Sequence, residues 1–338
     1  MALASVMKVP ASDTSGDVKQ EVSGKWVIIQ ESLEQDRHRG RIGVSLDILL
    51  AMLPPVLFIY TFVYAAAYVA FSAAQLEKKT KSQIHTIIAP ETPAPSERIS
   101  LAALDSVPAP VAAYLRQALT EGHEAPHRIR ISQDGYLRLK NEEKAWRPFS
   151  ARQYIQTGDP AFVWDARIDL FPPIVDARAV DSYRDGRAGM CVRLMSALPL
   201  VNESDKPELI QGTLTRYLAE AVWCPTILLP GERLQWEEID ATSARAILTD
   251  HDYRVALVFR FNERHEVIEV ESESRFREVN GDYVATPWRG LFKEYAQRGD
   301  MRIPLRAAAQ WCLPGGEFTY WRGRIRSIEY DPQPSVWE

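Results

Sequence analysis

Residues 48–76 carry no charged side chain, and the run LLAMLPPVLFIYTFVYAAAYVAFSAAQL within them exceeds the roughly 20 apolar residues that cross a hydrocarbon core. Such a segment has no place in water, so the chain is expected to hold one transmembrane helix at residues 48–76 with any folded domain attached after it. Pro54 and Pro55 disfavour a helix interior and place the helix start there, which leaves residues 56–76 still long enough to span. Tyr60, Tyr64 and Tyr68 fall on one face, as interfacial anchors or helix-packing residues do. Mostly polar residues precede the run and no short charged region opens the chain, so it reads as an uncleaved anchor rather than a signal peptide. Arg37, Arg39 and Arg41 before the span balance Lys78, Lys79 and Lys81 after it, so charge alone leaves the orientation open.

Of 338 residues, 46% are hydrophobic and 25% charged, both near the globular average, so the membrane signal is local and one ordinary domain follows. The net charge of -5 opposes nucleic acid as a main partner. Cys191, Cys224 and Cys312 are far apart in sequence and form no Cys-x-x-Cys pair. One disulfide is possible, and buried thiols are the plainer reading. No nucleophile elbow, phosphate-binding loop or dinucleotide fingerprint occurs, and no cofactor is expected.

Residues 1–47 read as a flexible tail and residues 77–104 as a tether, whose Pro90, Pro93 and Pro95 make it semi-rigid and extended. Helical spacing at Val111, Tyr114, Leu115 and Ala118 predicts a short helix over residues 108–119. After His127 the period becomes two. Phe162, Trp164, Ala166, Ile168 and Leu170 alternate with Asp165, Arg167 and Asp169; Tyr253 to Phe261 and Ile303 to Trp311 repeat the pattern. Asp134-Gly135, Asp185-Gly186, Asn280-Gly281 and Gly315-Gly316 read as tight turns, which predicts an antiparallel meander. One amphipathic helix over residues 207–223, with Ile210, Leu214, Tyr217, Leu218 and Ala221 on one face, interrupts the strands and is the natural cover for their apolar side.

The motifs PFSARQY (148–154), FVWDARI (162–168), RYLAEAVWCPTILLP (216–230), PWRGLFKEY (287–295) and YWRGRIRSIEYD (320–331), with Tyr114-Leu115, resemble a bacterial membrane-anchored family known only as a domain of unknown function, over residues 105–331. The ending, FKEYAQRGDMRIP through RAAAQW to RGRIRSIEYD, is similar to the last hairpins of the LolA and LolB periplasmic lipoprotein carriers. That resemblance implies an α+β fold, mostly antiparallel: a curved, open half-barrel sheet plugged by the 207–223 helix around an apolar cavity. It further implies a bacterial inner-membrane protein with an exported C-terminal domain.

Arg216 and Glu220, four apart on the plug helix, are the first candidates for a ligand site, either binding a head group or forming a structural ion pair that locks helix to sheet. Trp164, Trp223, Trp236, Tyr320 and Trp321 join them as candidate cavity residues, although aromatics at period two are more often core. His123-Glu124-Ala125-Pro126-His127 fits a zinc-protease pattern, but Gly122 and Pro126 oppose the helix that chemistry needs, and no metal is expected. Arg322, Arg324 and Arg326 form one alternating row and Glu269, Glu271 and Glu273 another. They read as cross-strand partners, or the arginines as a row facing anionic lipid. Arg298-Gly299-Asp300 reads as a hairpin turn. The reading is a membrane-anchored extracytoplasmic module for a lipid or acyl chain, partnered by the bilayer. An interaction or sensor domain, and a hydrolase using Glu220 or Asp165, are the alternatives.

Overall fold

The computed structural model describes residues 46–88, 98–139, 145–172 and 174–332. The expected tail falls almost wholly outside these residues, as does the proline-rich segment 89–97. Two compact units meet in sequence at Tyr68 and Val69. The first contains the start of helix α1 (Leu46–Ile88), whose Leu57, Phe58, Ile59, Tyr60 and Phe62 are exposed. From Pro55 to Ile87 this helix is long and apolar enough to cross a membrane. It begins upstream of Pro54 and Pro55 and runs through them, a loss of backbone N–H donors that membrane helices tolerate.

In the second unit α1 does not stop at Leu76. It continues to Ile88, and Leu76, Ile84 and Ile87 pack on Tyr154, Val163 and Val180 of the sheet. The first part of the expected tether is therefore helix. Its apolar stripe is diluted in sequence by Glu77, Lys78, Lys79 and Lys81, which hides it from a hydropathy reading. Ile99 and Leu104, near the tether's end, are buried in the domain core.

Among the described residues the sheet has 13 strands, all antiparallel to their neighbours. The first six are β1 (Arg128–Leu137), β2 (Arg147–Gln156), β3 (Ala161–Phe171), β4 (Val175–Arg184), β5 (Arg187–Leu194) and β6 (Leu198–Ser204). The others are β7 (Leu234–Asp240), β8 (Ser243–Asp250), β9 (Tyr253–Phe261), β10 (Val267–Val279), β11 (Asp282–Arg298), β12 (Met301–Leu313) and β13 (Gly316–Tyr330). Each half is a hairpin meander, the halves join through β1 and β13, and the edges are β6 and β7. Helix α2 (Ala109–Ala118) lies against β12 and β8, and α3 (Pro207–Glu220) carries the chain from one edge strand to the other.

Curvature follows from what α3 touches: β4 and β5 in one half, β9 and β10 in the other. Tyr183 of β4 donates a hydrogen bond to Asp250 of β8 (2.6 Å), although these strands are far apart in sheet order. The sheet is therefore an open half-barrel wrapped round α3, as expected. Its inner face holds one continuous core, with Trp164, Phe162, Tyr183, Leu214, Leu218 and Trp223 buried.

Turn chemistry holds at Asp185-Gly186 and Asn280-Gly281, where both residues have positive φ, and at Gly299 and Gly316. Asp134-Gly135 is different. It lies inside β1 with no positive φ, and Gly135 faces Gly323 where the Arg322 carbonyl leaves no room for a Cβ.

The two charged rows are not partners, because β10 and β13 are not neighbours. Glu269 and Glu271 instead meet Arg260 of β9 and Arg289 of β11, while Arg326 pairs with Asp134 and Arg322 stacks on Trp146. Burial, and Glu271 beside it, push Glu269 up to about 7. Burial disfavours the Glu271 charge too, but hydrogen bonds from Glu269 and Arg260 outweigh it and hold Glu271 below its usual value. Between its ordinary value of 4.5 and about 7, Glu269 binds a proton when folded that it has released when unfolded, so its contribution to stability is lost as pH rises through that window. Chemical denaturation at a series of pH values should show a smaller loss of stability over that interval in Glu269→Gln than in wild type; equal slopes would contradict the assignment.

Candidate functional site

Arg216 sits in the second half of α3, on the stripe it shares with Thr213 and Glu220 and on the other side of the helix from Leu214 and Leu218, and all of these but the partly buried Glu220 are buried in the curve of the sheet. A buried guanidinium needs partners, and it has two carboxylates. Its Nη1 donates to Asp181 Oδ2 of β4 (2.6 Å) and its Nε to Glu220 Oε1 (2.8 Å), while its plane lies 5.0 Å from the Trp164 ring and 5.1 Å from the Phe162 ring. Burial opposes the charge, but Glu220 and Asp181 more than offset it, so the pKa of Arg216 is raised and it stays ionised. Gln153 of β2 donates to Glu220 Oε2 (2.5 Å), Gln133 of β1 to Gln153 (3.0 Å) and Trp164 Nε1 to Gln133 (3.2 Å). A polar chain thus crosses four strands and ends on the helix.

Beside this chain a recess opens between the end of α3 and strands β10–β13. Arg216, Glu220 and Trp223 form one wall, with Arg275, Trp288 and Phe292 opposite and Tyr320 and Trp321 below. Gly290, Ala307 and Ala309 provide the space. Its cavity volume is about 50 Å³, enough for a few waters.

Two backbone irregularities build this wall. Between Ala309 and Gln310 the β12–β13 register slips, Tyr320 is the extra residue, and both Tyr320 and Trp321 are buried. On β10 the register slips between Ser272 and Arg275, which turns Arg275 into the core instead of leaving it outside. The Arg275 guanidinium lies 4.6 Å from the Trp288 ring and donates from Nη2 to the Gly212 carbonyl (3.1 Å), and Trp288 Nε1 donates to Tyr320 (3.0 Å). Arg275 Nε and Trp223 Nε1, both buried, have no hydrogen-bond partner among the described residues.

Of the expected site residues, Arg216, Glu220, Trp223, Tyr320 and Trp321 line the recess. Trp164 lies beneath Arg216 as part of the polar chain. Trp236 is elsewhere: its Nε1 donates to the Leu228 carbonyl (3.0 Å) near the β7 edge, beside Phe259. Asp165 is on the outer face, gripped by Arg178 (2.7 and 2.8 Å), which also reaches Glu77 of α1 (2.5 Å). It cannot work with Glu220, which is inside. His123 meets Asp300 (3.1 Å) in a non-helical loop that includes Gly122 at φ 78°, and no metal-binding cluster occurs among the described residues. All three cysteines are free, and burial pushes Cys224 up to about 12.

Asp181, Gln133, Gln153 and Arg275 were not expected. Three of them had a signal: Asp181 follows Ala177 and Ala179, Gln153 follows Phe149 and Ala151, and Gln133 follows Ile129 and Ile131, each a polar residue on a strand's apolar register. Arg275 had none, because a bulge changes its face.

Fold and recess together define an open antiparallel half-barrel, plugged by a helix, with a cationic, aromatic-walled recess beside the plug. Residues 105–330 match a family of unknown function (DUF6920), and the chain belongs to that family. Among solved structures, a LolA superfamily protein from Nitrosomonas europaea is similar at 11% identity, with a TM-score of 0.32, over 70% of this chain and 94% of that one. A TM-score of that size carries no argument about function. No curated protein matches the sequence.

Removing the Arg216 guanidinium would leave Asp181 and Glu220 buried and unpaired. Arg216→Ala should therefore destabilise the domain by about 3–5 kcal/mol in urea unfolding, and the triple change Arg216→Met, Asp181→Leu, Glu220→Gln by much less. Equal losses would show that the charges themselves are not what Arg216 balances.

Proposed function

We propose that the domain is a membrane-anchored binding module whose recess takes the polar end of an amphipathic ligand, such as a fatty acid or other lipid. The observation that carries this reading is the pair of unpartnered donors, Arg275 Nε and Trp223 Nε1, on an aromatic-walled recess. Buried donors without acceptors cost about 1–3 kcal/mol each, and a carboxylate, phosphate or carbonyl oxygen would recover it. The recess is well below the roughly 300–1,000 Å³ of a small-molecule pocket. Because both donors are sealed from solvent, seating a head group against them, and the chain behind it, requires the turn at Ala221–Trp223 to shift. Helix α1 supplies the anchor, and the domain is read as extracytoplasmic at a bacterial inner membrane. A phosphatase reporter after Glu338 that is inactive in cells would contradict that side.

Oleate should raise the melting temperature of the detergent-purified full chain, and native mass spectrometry should show a co-purified lipid. Arg275→Leu and Trp223→Phe should each lose both effects while staying folded. A ligand-free protein with no shift would remove this reading. The small size of the recess supports a second, in which the domain binds a membrane partner protein; in-cell cross-linking to one protein, lost on replacing Arg322 and Arg324, is its test.

A further inference from the structure

Four large apolar side chains stand exposed at one end of the sheet: Phe171 (64%), Ile174 (76%), Met195 (42%) and Leu198 (50%). They come from two adjacent hairpin ends. Phe171 and Ile174 flank the β3–β4 turn, Met195 and Leu198 the β5–β6 turn, and the Met195 N–H donates to the Asp176 carbonyl (2.8 Å). Arg147 holds Phe171 in place, its guanidinium 5.5 Å from the ring. Among the described residues of these two hairpins, the carboxylates Asp169 and Asp176 start a step back from the turn, and Asp176 is paired with Arg167 (3.2 Å). Scattered apolar residues on a surface are ordinary, but a contiguous apolar tip marks an interface.

The direction of α1 says what covers this tip. Along the outer face Glu77 meets Arg178, Gln83 meets Ser182 and the Thr86 carbonyl meets Arg184, so helix and β4 run the same way. Counting back from Glu77 to Val69 at about 1.5 Å per residue covers roughly 12 Å. From Arg178 to Ile174, at about 3.3 Å per residue, is roughly 13 Å. The β3–β4 turn is therefore level with Val69 and exposed Phe71, which lie inside the uncharged stretch of the chain.

We propose that the β3–β4 and β5–β6 hairpin ends dip into the lipid surface of the bilayer that α1 enters, with Phe171, Ile174, Met195 and Leu198 in its acyl boundary. The contact gives the domain a second hold on the membrane and fixes its tilt, which a single helix does not. It rests on the anchoring reading of α1 and needs no ligand in the recess.

A benzoylphenylalanine introduced in place of Ile174 or Leu198 in the full chain, reconstituted in phosphatidylcholine vesicles and irradiated, tests it. The comparison is the same probe in place of Arg254, which is exposed near the opposite end of the sheet. Lipid adducts at positions 174 and 198, several-fold above those at 254, are expected. Adducts no more frequent than at 254, in protein that alkaline carbonate leaves on the vesicles, overturn this inference alone. Release by carbonate overturns the anchor as well, and cross-links to a second copy of the chain at 174 would assign the tip to a dimer instead.

Discussion

A sheet with one apolar face must hide that face, and here it does so by curling around a single helix. The chain leaves β6 at one edge, passes through the hollow as α3 and resumes as β7 at the other edge, so the helix is threaded through the sheet it supports. Much of the arrangement follows from that crossing. Strands β4 and β5 and strands β9 and β10 touch the same helix from both sides, and Tyr183 reaches Asp250 across the gap. Apolar burial supplies the energy, while Arg216 supplies position. A guanidinium held by Asp181 on one strand and Glu220 on its own helix tolerates little sliding or rotation of α3, whereas an all-apolar contact would tolerate more.

The same polar insertion that fixes the helix also makes the recess. Glu220 is shared between Arg216 and Gln153, and its neighbour along the helix, Trp223, faces Arg275 across a gap kept open by Gly290 and two alanines. The ion pairs and the wall of the recess therefore lie on the end of α3 and the short turn that follows it, so anything seated against Trp223 would meet an element already held by ion pairs. The outer face follows a comparable logic, since the continuation of α1 is secured by Arg178 between Glu77 and Asp165. Inside and outside, an arginine bridging two carboxylates ties a helix to the sheet.

Period-two alternation in residues 162–170, 253–261 and 303–311 made the strands legible, and proline starts with apolar spacing did the same for α2 and α3. Curvature was implied only through family resemblance, because alternation describes a face and not how it bends. Asp134-Gly135 looked like a turn because glycine serves equally where two backbones approach closely. The second half of α1 was obscured by the charges around its buried stripe. Within the recess, Arg216, Glu220 and Trp223 could be placed by helical spacing, whereas Arg275 depends on a bulge in β10, and local backbone slips leave no periodic trace.

Central to the account is that α3 belongs to the same cooperative unit as the sheet. Native-state hydrogen exchange on the full chain addresses this directly. The amides of Leu214 and Leu218 should exchange only at the rate set by global unfolding, together with those of Phe162 on β3 and Phe259 on β9. Faster exchange in α3 while both strands stay protected would mean that the half-barrel holds its curve without its plug, and would contradict the account.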